Sequence, residues 1–169
     1  MRLRVTRAPR KMSPADALFV LHELPCATDM AGLAKASGFD AGDETLLEAQ
    51  QWVYDAWEVR DARGRYALAR KALDISPFCA DAWLILSECA SLSMRDRREF
   101  LERALKAGEL ALGKNGLAEN EGHFWAVLET RPYMRARHAL AEHLWLSGDR
   151  DGAIGHLKAM LQLNPGDNQ

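Results

Sequence analysis

Residues 133–168 read YMRARHALAEHLWLSGDRDGAIGHLKAMLQLNPGDN, and the spacing of apolar and small residues in this stretch decides the fold class. Apolar positions recur at helical intervals on either side of Ser147–Asp149. That pattern predicts two helices, Met134–Leu146 and Arg150–Leu163. A joint this short turns the second helix back antiparallel to the first. Gly148 suits the joint, because glycine enters the left-handed region without the Cβ penalty. Ala153, Ile154, Leu157, Met160 and Leu161 fall at i, i+1, i+4, i+7 and i+8, one stripe along the second helix. Ala141 and Ala153 are small where the two helices come closest, and Pro165 stops the second one.

This unit resembles a tetratricopeptide repeat (TPR). Leu140-Ala141 stands at the family's paired Leu and small residue, Gly148 at the turn, Ala153 and Leu157 on the second helix and Pro165 at the end. Met160 departs from the pattern, replacing a small residue and implying looser packing. A second unit begins after Pro77. Trp83, Leu86 and Ser87 match its first helix, and Phe100, Leu101, Ala104 and Leu105 its second. It carries an insertion that contains Gly113–Gly122 and HFWAVLETRP. A third, fainter unit is AQQWVYDAWEVRDARGRYALARKALDISP, whose second helix reads about one turn short. The resemblance implies an all-α fold of antiparallel helix-turn-helix repeats, stacked as a short right-handed TPR-like α-solenoid. Its units would be 44–77, 78–131 and 132–167, within a repeat domain spanning 44–169.

The strings AQQWVYDAWE, ALARKALDISPFCADAW, EGHFWAVLETRPYMRAR and LNPGDNQ are also similar to a bacterial branch related to the suppressor-of-tumorigenicity-7 TPR family. That resemblance implies helical repeats and an interaction role, with no known chemistry.

Upstream, helices are predicted at Glu44–Arg60, Tyr66–Ile75, Cys79–Ser91, Arg95–Leu112 and Phe124–Thr130, with loops at Asp61–Gly64 and Gly113–Gly122. Ser13-Pro14 opens a helix that runs to about Leu24 before Pro25, and a short one covers Met30–Ala36. Residues 13–43 thus form a helical extension behind a basic tail, 1–12. Trp52, Trp57 and Trp83 fall on helical stripes and are expected in the core. No alternating strand pattern occurs.

The 169 residues, 48% hydrophobic and 27% charged, suit one domain with a sizeable core. Arg2, Arg4, Arg7, Arg10 and Lys11 give the tail +5, so a whole-chain net charge of −2 leaves −7 on the remainder. An acidic body argues against nucleic acid, whose phosphates need a basic footprint. The tail either meets an anionic partner or is a solvated terminus. No secretory h-region follows it, and no apolar run reaches the roughly 20 residues of a membrane span. Cys26, Cys79 and Cys89 are odd in number and widely spaced, as small buried side chains in a reducing cytoplasm would be.

Chemical motifs are sparse. His138, Glu142 and His143 share a helix, but the His–His spacing of five turns the second ring off the face of the first, unlike a metalloprotease helix. There is no P-loop, GxSxG, GxGxxG or Cys-x-x-Cys, so neither catalytic residues nor a metal or cofactor are expected. In the TPR scheme the first helix of each repeat lines a concave groove. Asp81, Leu84, Glu88 and Ser91 would come from one repeat, and Arg135, His138, Glu142 and Trp145 from the next. Such a groove would hold a peptide through polar contacts and one aromatic anchor, unless these residues only form a solvated face. Asp81 and Glu88 would repel an acidic C-terminal tail of the sort that some chaperone-cofactor TPRs clamp. A second candidate is the patch His123, Trp125, Glu129, Arg131 and Tyr133. The alternative there is structural, with Phe124 and Trp125 plugging the core and Glu129 paired to an Arg.

Three functions compete. The first is a non-catalytic scaffold that binds a protein or peptide. The second is a self-associating module, a possible homodimer. LNPGDNQ stops where another helix is due, so a partner, a second copy or a trimmed-off segment would cover the stripe from Ala153 to Leu161. The third is a metal-dependent enzyme at His138 and Glu142.

Overall fold

The computed structural model describes residues 26–27, 29–40 and 43–166. The helix expected from Ser13 and the basic tail lie outside these residues. Within them the chain is all-helical, without strands. Seven helices follow in order: α1 Met30–Ser37, α2 Glu44–Glu58, α3 Ala62–Ile75, α4 Ala80–Ser87, α5 Met94–Glu119, α6 Arg131–Leu146 and α7 Arg150–Leu163.

Local chemistry sets where the helices start. The carboxylates of Asp43, Asp61 and Asp149 accept from the backbone N–H of Thr45, Gly64 and Gly152. Each satisfies one of the donors that a helix N-terminus leaves unpaired. Asp61 and Asp149 share a form, Asp-x-x-Gly, at the starts of α3 and α7. A Cβ on either glycine would lie 2.9 Å from the capping carboxylate, which would have to shift to admit it. At α5 the Ser93 hydroxyl accepts from the Asp96 N–H and donates to the Asp96 carboxylate, a reciprocal cap. Pro132 lies in the first turn of α6, where a missing N–H costs nothing.

Short joints fold α2 on α3, α4 on α5 and α6 on α7, and these pairs pack extensively. The α6–α7 turn uses Gly148 at φ 91, in the left-handed region as expected. Beyond sequence neighbours, α4 touches both α2 and α6. The main core surrounds Trp83, Phe100 and Leu73, with alanines such as Ala69, Ala72 and Ala104 where helices meet. Trp83 also donates through Nε1 to the Pro77 carbonyl at 2.8 Å. A second cluster joins Leu112, Phe124, Tyr133, Met134 and Met160, and a third joins Leu101, Leu140, Leu144 and Ala153.

Several expectations are corrected. The α3 helix starts at Ala62, not Tyr66, because the Asp61 cap supplies the turn that seemed missing. Helix α4 ends at Ser87, a turn early, where Glu88 and Cys89 close tight backbone turns onto Ile85 and Leu86. The loop expected over Gly113–Gly122 is largely helix: α5 kinks at Gly113 (φ 62, ψ −179) and resumes to Glu119. Conversely, Phe124–Thr130 is not helical. Its turns are held by the Thr130 hydroxyl, which donates to the carbonyls of Phe124 and Val127. Trp57 is 43% exposed, outside the core, with the Arg135 guanidinium over its ring. Trp52 is half-buried under Lys71, and only Trp83 is fully enclosed.

Candidate functional site

A groove of about 680 Å³ opens between the end of α4, the start of α5 and the length of α6. Leu84, Leu101, Trp125, Leu146 and Met160 supply most of its apolar surface, and Glu88, Arg97, Arg135, His138 and Glu142 its charge. Five of the eight residues expected on it are there: Leu84, Glu88, Arg135, His138 and Glu142. They share it because Glu88, which caps α4, lies one turn beyond Leu84, while Arg135, His138 and Glu142 follow at i, i+3 and i+7 on α6.

The other three are not. Asp81 is buried beneath, 1% exposed. Its carboxylate accepts from Arg135 Nε at 2.9 Å, from Arg135 Nη2 at 2.6 Å and from Gln50 Nε2 at 3.0 Å. Those bonds replace the water it loses, and they leave it unavailable to a ligand. Ser91 stands past the end of α4, its hydroxyl 3.0 Å from Cys89 Sγ. Trp145 is half-exposed away from the groove, with the Arg150 guanidinium over its ring, and the aromatic residue that lines the groove is instead Trp125, expected in the second patch.

The remaining groove charges are partly matched. Glu88 pairs with Arg65 at 2.7 Å. His138 Nδ1 lies 3.7 Å from Glu142 Oε2, both well exposed. Among the described residues no group of three His, Cys, Asp or Glu is arranged to hold a metal ion. Arg97 donates weakly to the Cys89 carbonyl at 3.4 Å, and its buried Nε has no partner. Sequence reasoning missed Arg97, Leu101 and His143. The i, i+4 pair Arg97 and Leu101 marks a face of α5, but the scheme assigns the groove to first helices alone. His143 is buried, and burial followed by the cations Arg97 and Arg98 pushes its pKa below the ordinary histidine value.

The second candidate patch divides. Tyr133 is buried in the second core cluster and accepts at its hydroxyl from Arg137. Trp125 is half-buried against that cluster, and Arg131 donates to its carbonyl at 3.0 Å. The segment is stitched to the end of α7, where Gly122 N–H donates to the Leu163 carbonyl at 2.8 Å and Trp125 N–H to Asn164 Oδ1 at 3.2 Å. His123 and Glu129 are exposed, and among the described residues Glu129 forms no ion pair, contrary to expectation. Apolar Phe124 explains the docking. The region is built mainly as structure.

The model of the ST7 protein family matches residues 34–135, from α1 into the first turns of α6. The chain belongs to the ST7 family. Among curated relatives it is similar to the suppressor of tumorigenicity 7 protein-like of Gallus gallus, 29% identical over 77 residues that make 46% of this chain. The protein ST7 homolog of Drosophila melanogaster is 28% identical over 84 residues, 50% of this chain. These matches span only 14% and 16% of the relatives' own lengths. No solved structure matches the chain. The ST7 match includes Gln50, Asp81 and Arg135 and stops short of α7. No helix among the described residues is long and apolar enough to cross a membrane.

Proposed function

We propose that the chain is a non-catalytic scaffold whose helical pairs stack as a short right-handed TPR-like α-solenoid and hold a peptide or helix of a partner protein in the groove between α4 and α6. The observation that carries this reading is the groove itself, where leucines alternate with carboxylates and cations over 680 Å³. A surface that mixes apolar area with both signs of charge suits an amphipathic segment. Glu88 and Glu142 on the walls disfavour an acidic tail. The cytoplasm is the proposed setting, resting on Cys79 and Cys89, buried thiols outside any disulfide, of which Cys79 is pushed up to about 12, chiefly by desolvation.

Glu88→Lys tests the reading, in a selection of random peptides against both proteins. Glu88 pairs only at the surface, so stability should change by less than about 1 kcal/mol while the selected peptides lose basic residues. Identical peptide sets from the two proteins would remove the groove as the binding site.

A second reading, self-association, is favoured by one observation: Ile154, Leu157 and Leu161 are large, exposed and aligned on α7. A concentration-dependent mass in sedimentation equilibrium would support it.

A further inference from the structure

A separate cleft of about 300 Å³ lies on the other side of the Asp81–Arg135 bridge. Leu46, Leu47, Gln50 and Tyr54 of α2 form one wall, and Gly108, Ala111 and Leu112 of α5 another. Leu128 and Pro132 close it, and Phe78 and Ala80 also line it. Among the described residues it shares no lining residue with the groove. The bridge divides the two, because Gln50 lines the cleft while bonding Asp81, and Arg135 lines the groove while bonding the same carboxylate. Gly108 brings α5 close to α6. A Cβ there would sit 2.9 Å from the Tyr133 Cα.

Two properties distinguish this cleft from ordinary surface. Leu47 is 61% and Leu128 63% exposed at its edges, so large apolar side chains face water beside an unfilled hollow. Among the described residues its only charged lining residues are Asp43 and Glu129, and no described Lys, Arg or His lines it. The Asp43 carboxylate accepts from both the hydroxyl and the N–H of Thr45, which holds it below the usual carboxylate range, ionised at neutral pH. Glu129 has no ion-pair partner among the described residues. An apolar hollow whose described rim carries two carboxylates and no cation is complementary to an apolar group next to a cation.

We propose that this cleft docks a partner polypeptide segment bearing a bulky apolar side chain flanked by Lys or Arg. The site goes beyond the groove reading and stands without it.

The test is methyl-labelled NMR of the full chain titrated with three blocked peptides: Lys-Trp-Leu-Lys, its charge-reversed form Glu-Trp-Leu-Glu, and Lys-Ala-Ala-Lys. The expected result is saturable shifts of the Leu47, Leu112 and Leu128 methyls with the first peptide, and at least threefold weaker binding of the other two. Asp43→Asn with Glu129→Gln should erase the preference for the basic over the charge-reversed peptide. Asn keeps a side-chain oxygen for the α2 cap and Glu129 is exposed, so an unchanged melting curve verifies the fold. Equal binding of the two charged forms, or no methyl response in the cleft to any peptide, overturns the proposal. Shifts confined to Leu84 and Leu146 would also overturn it, while leaving the groove reading intact.

Discussion

Arg135 gives both Nε and Nη2 to Asp81 and lies with its guanidinium 5.2 Å from the Trp57 ring centroid. Removing it would strand a buried carboxylate, which typically costs about 3–5 kcal/mol. Arg135→Ala should therefore lose about 3 kcal/mol in denaturant unfolding, near the lower bound because a third of the Arg135 side chain is in solvent. Combining it with Asp81→Ala should cost far less than the two single losses together. A helical wheel points Asp81 and Arg135 toward the same side, but it carries no depth, and Asp81 lies beneath the groove rather than on it. That the two meet 54 residues apart, with Gln50 as third partner, is a tertiary fact. His143 and His156 carry a second prediction. Burial, then neighbouring arginines, lower both pKa values, so the unfolded chain takes up protons that the folded one refuses. Stability should fall as pH drops through about 6.5 toward 5, and the slope should lessen in His143→Gln and His156→Gln. A melting temperature that is flat over that range would contradict it.

Among the elements, α7 is the one whose two sides differ most. Ala153 is fully enclosed against Leu140 and Leu144, whereas Ile154, Leu157 and Leu161 face outward. Ala153→Trp should destabilise by at least the roughly 1–3 kcal/mol of an overpacked core, read as a lowered unfolding midpoint. The outward stripe has a charged flank, with Asp151 and Lys158 seven residues apart. In an antiparallel pair of α7 helices each Asp151 would face the other copy's Lys158. If self-association uses this face, Asp151→Lys alone should abolish it and adding Lys158→Asp should restore it in sedimentation equilibrium. Helix periodicity made α2 and α7 readable to within two residues and placed the end of α6, whose start at Arg131 lies three residues before the expected Met134 because Pro132 sits in its first turn. It misled at Phe124–Thr130, where Phe124, Val127 and Leu128 imitate a helical stripe but the backbone bonds to Thr130 and α7 instead. It misled again after Gly113, where three glycines in ten residues look like loop. Only Gly113 breaks the helix there, and Gly116 is ordinary within it.

At the scale of the molecule, the bridge at Asp81 joins α2, α4 and α6, the first helices of three successive pairs. Unfolding should consequently be a single transition, with fluorescence of the tryptophans and far-UV circular dichroism superimposing in urea. Two separated transitions would show that the α6–α7 pair melts alone. The unit most like a repeat in sequence, 133–168, lies almost wholly outside the ST7 match, while the matched part holds the units in which the pattern is faintest. Small residues and turn glycines are legible to a repeat pattern, whereas a polar bridge between repeats is not. That bridge also bears on synthesis. As the chain leaves the ribosome, α4 can close onto α2 before Arg135 has been translated, and Asp81 then has the Gln50 amide beside it and no guanidinium. The nascent form stays open to water at this point until α6 emerges, so completion of α6, rather than formation of the early hairpins, commits the protein to its native state.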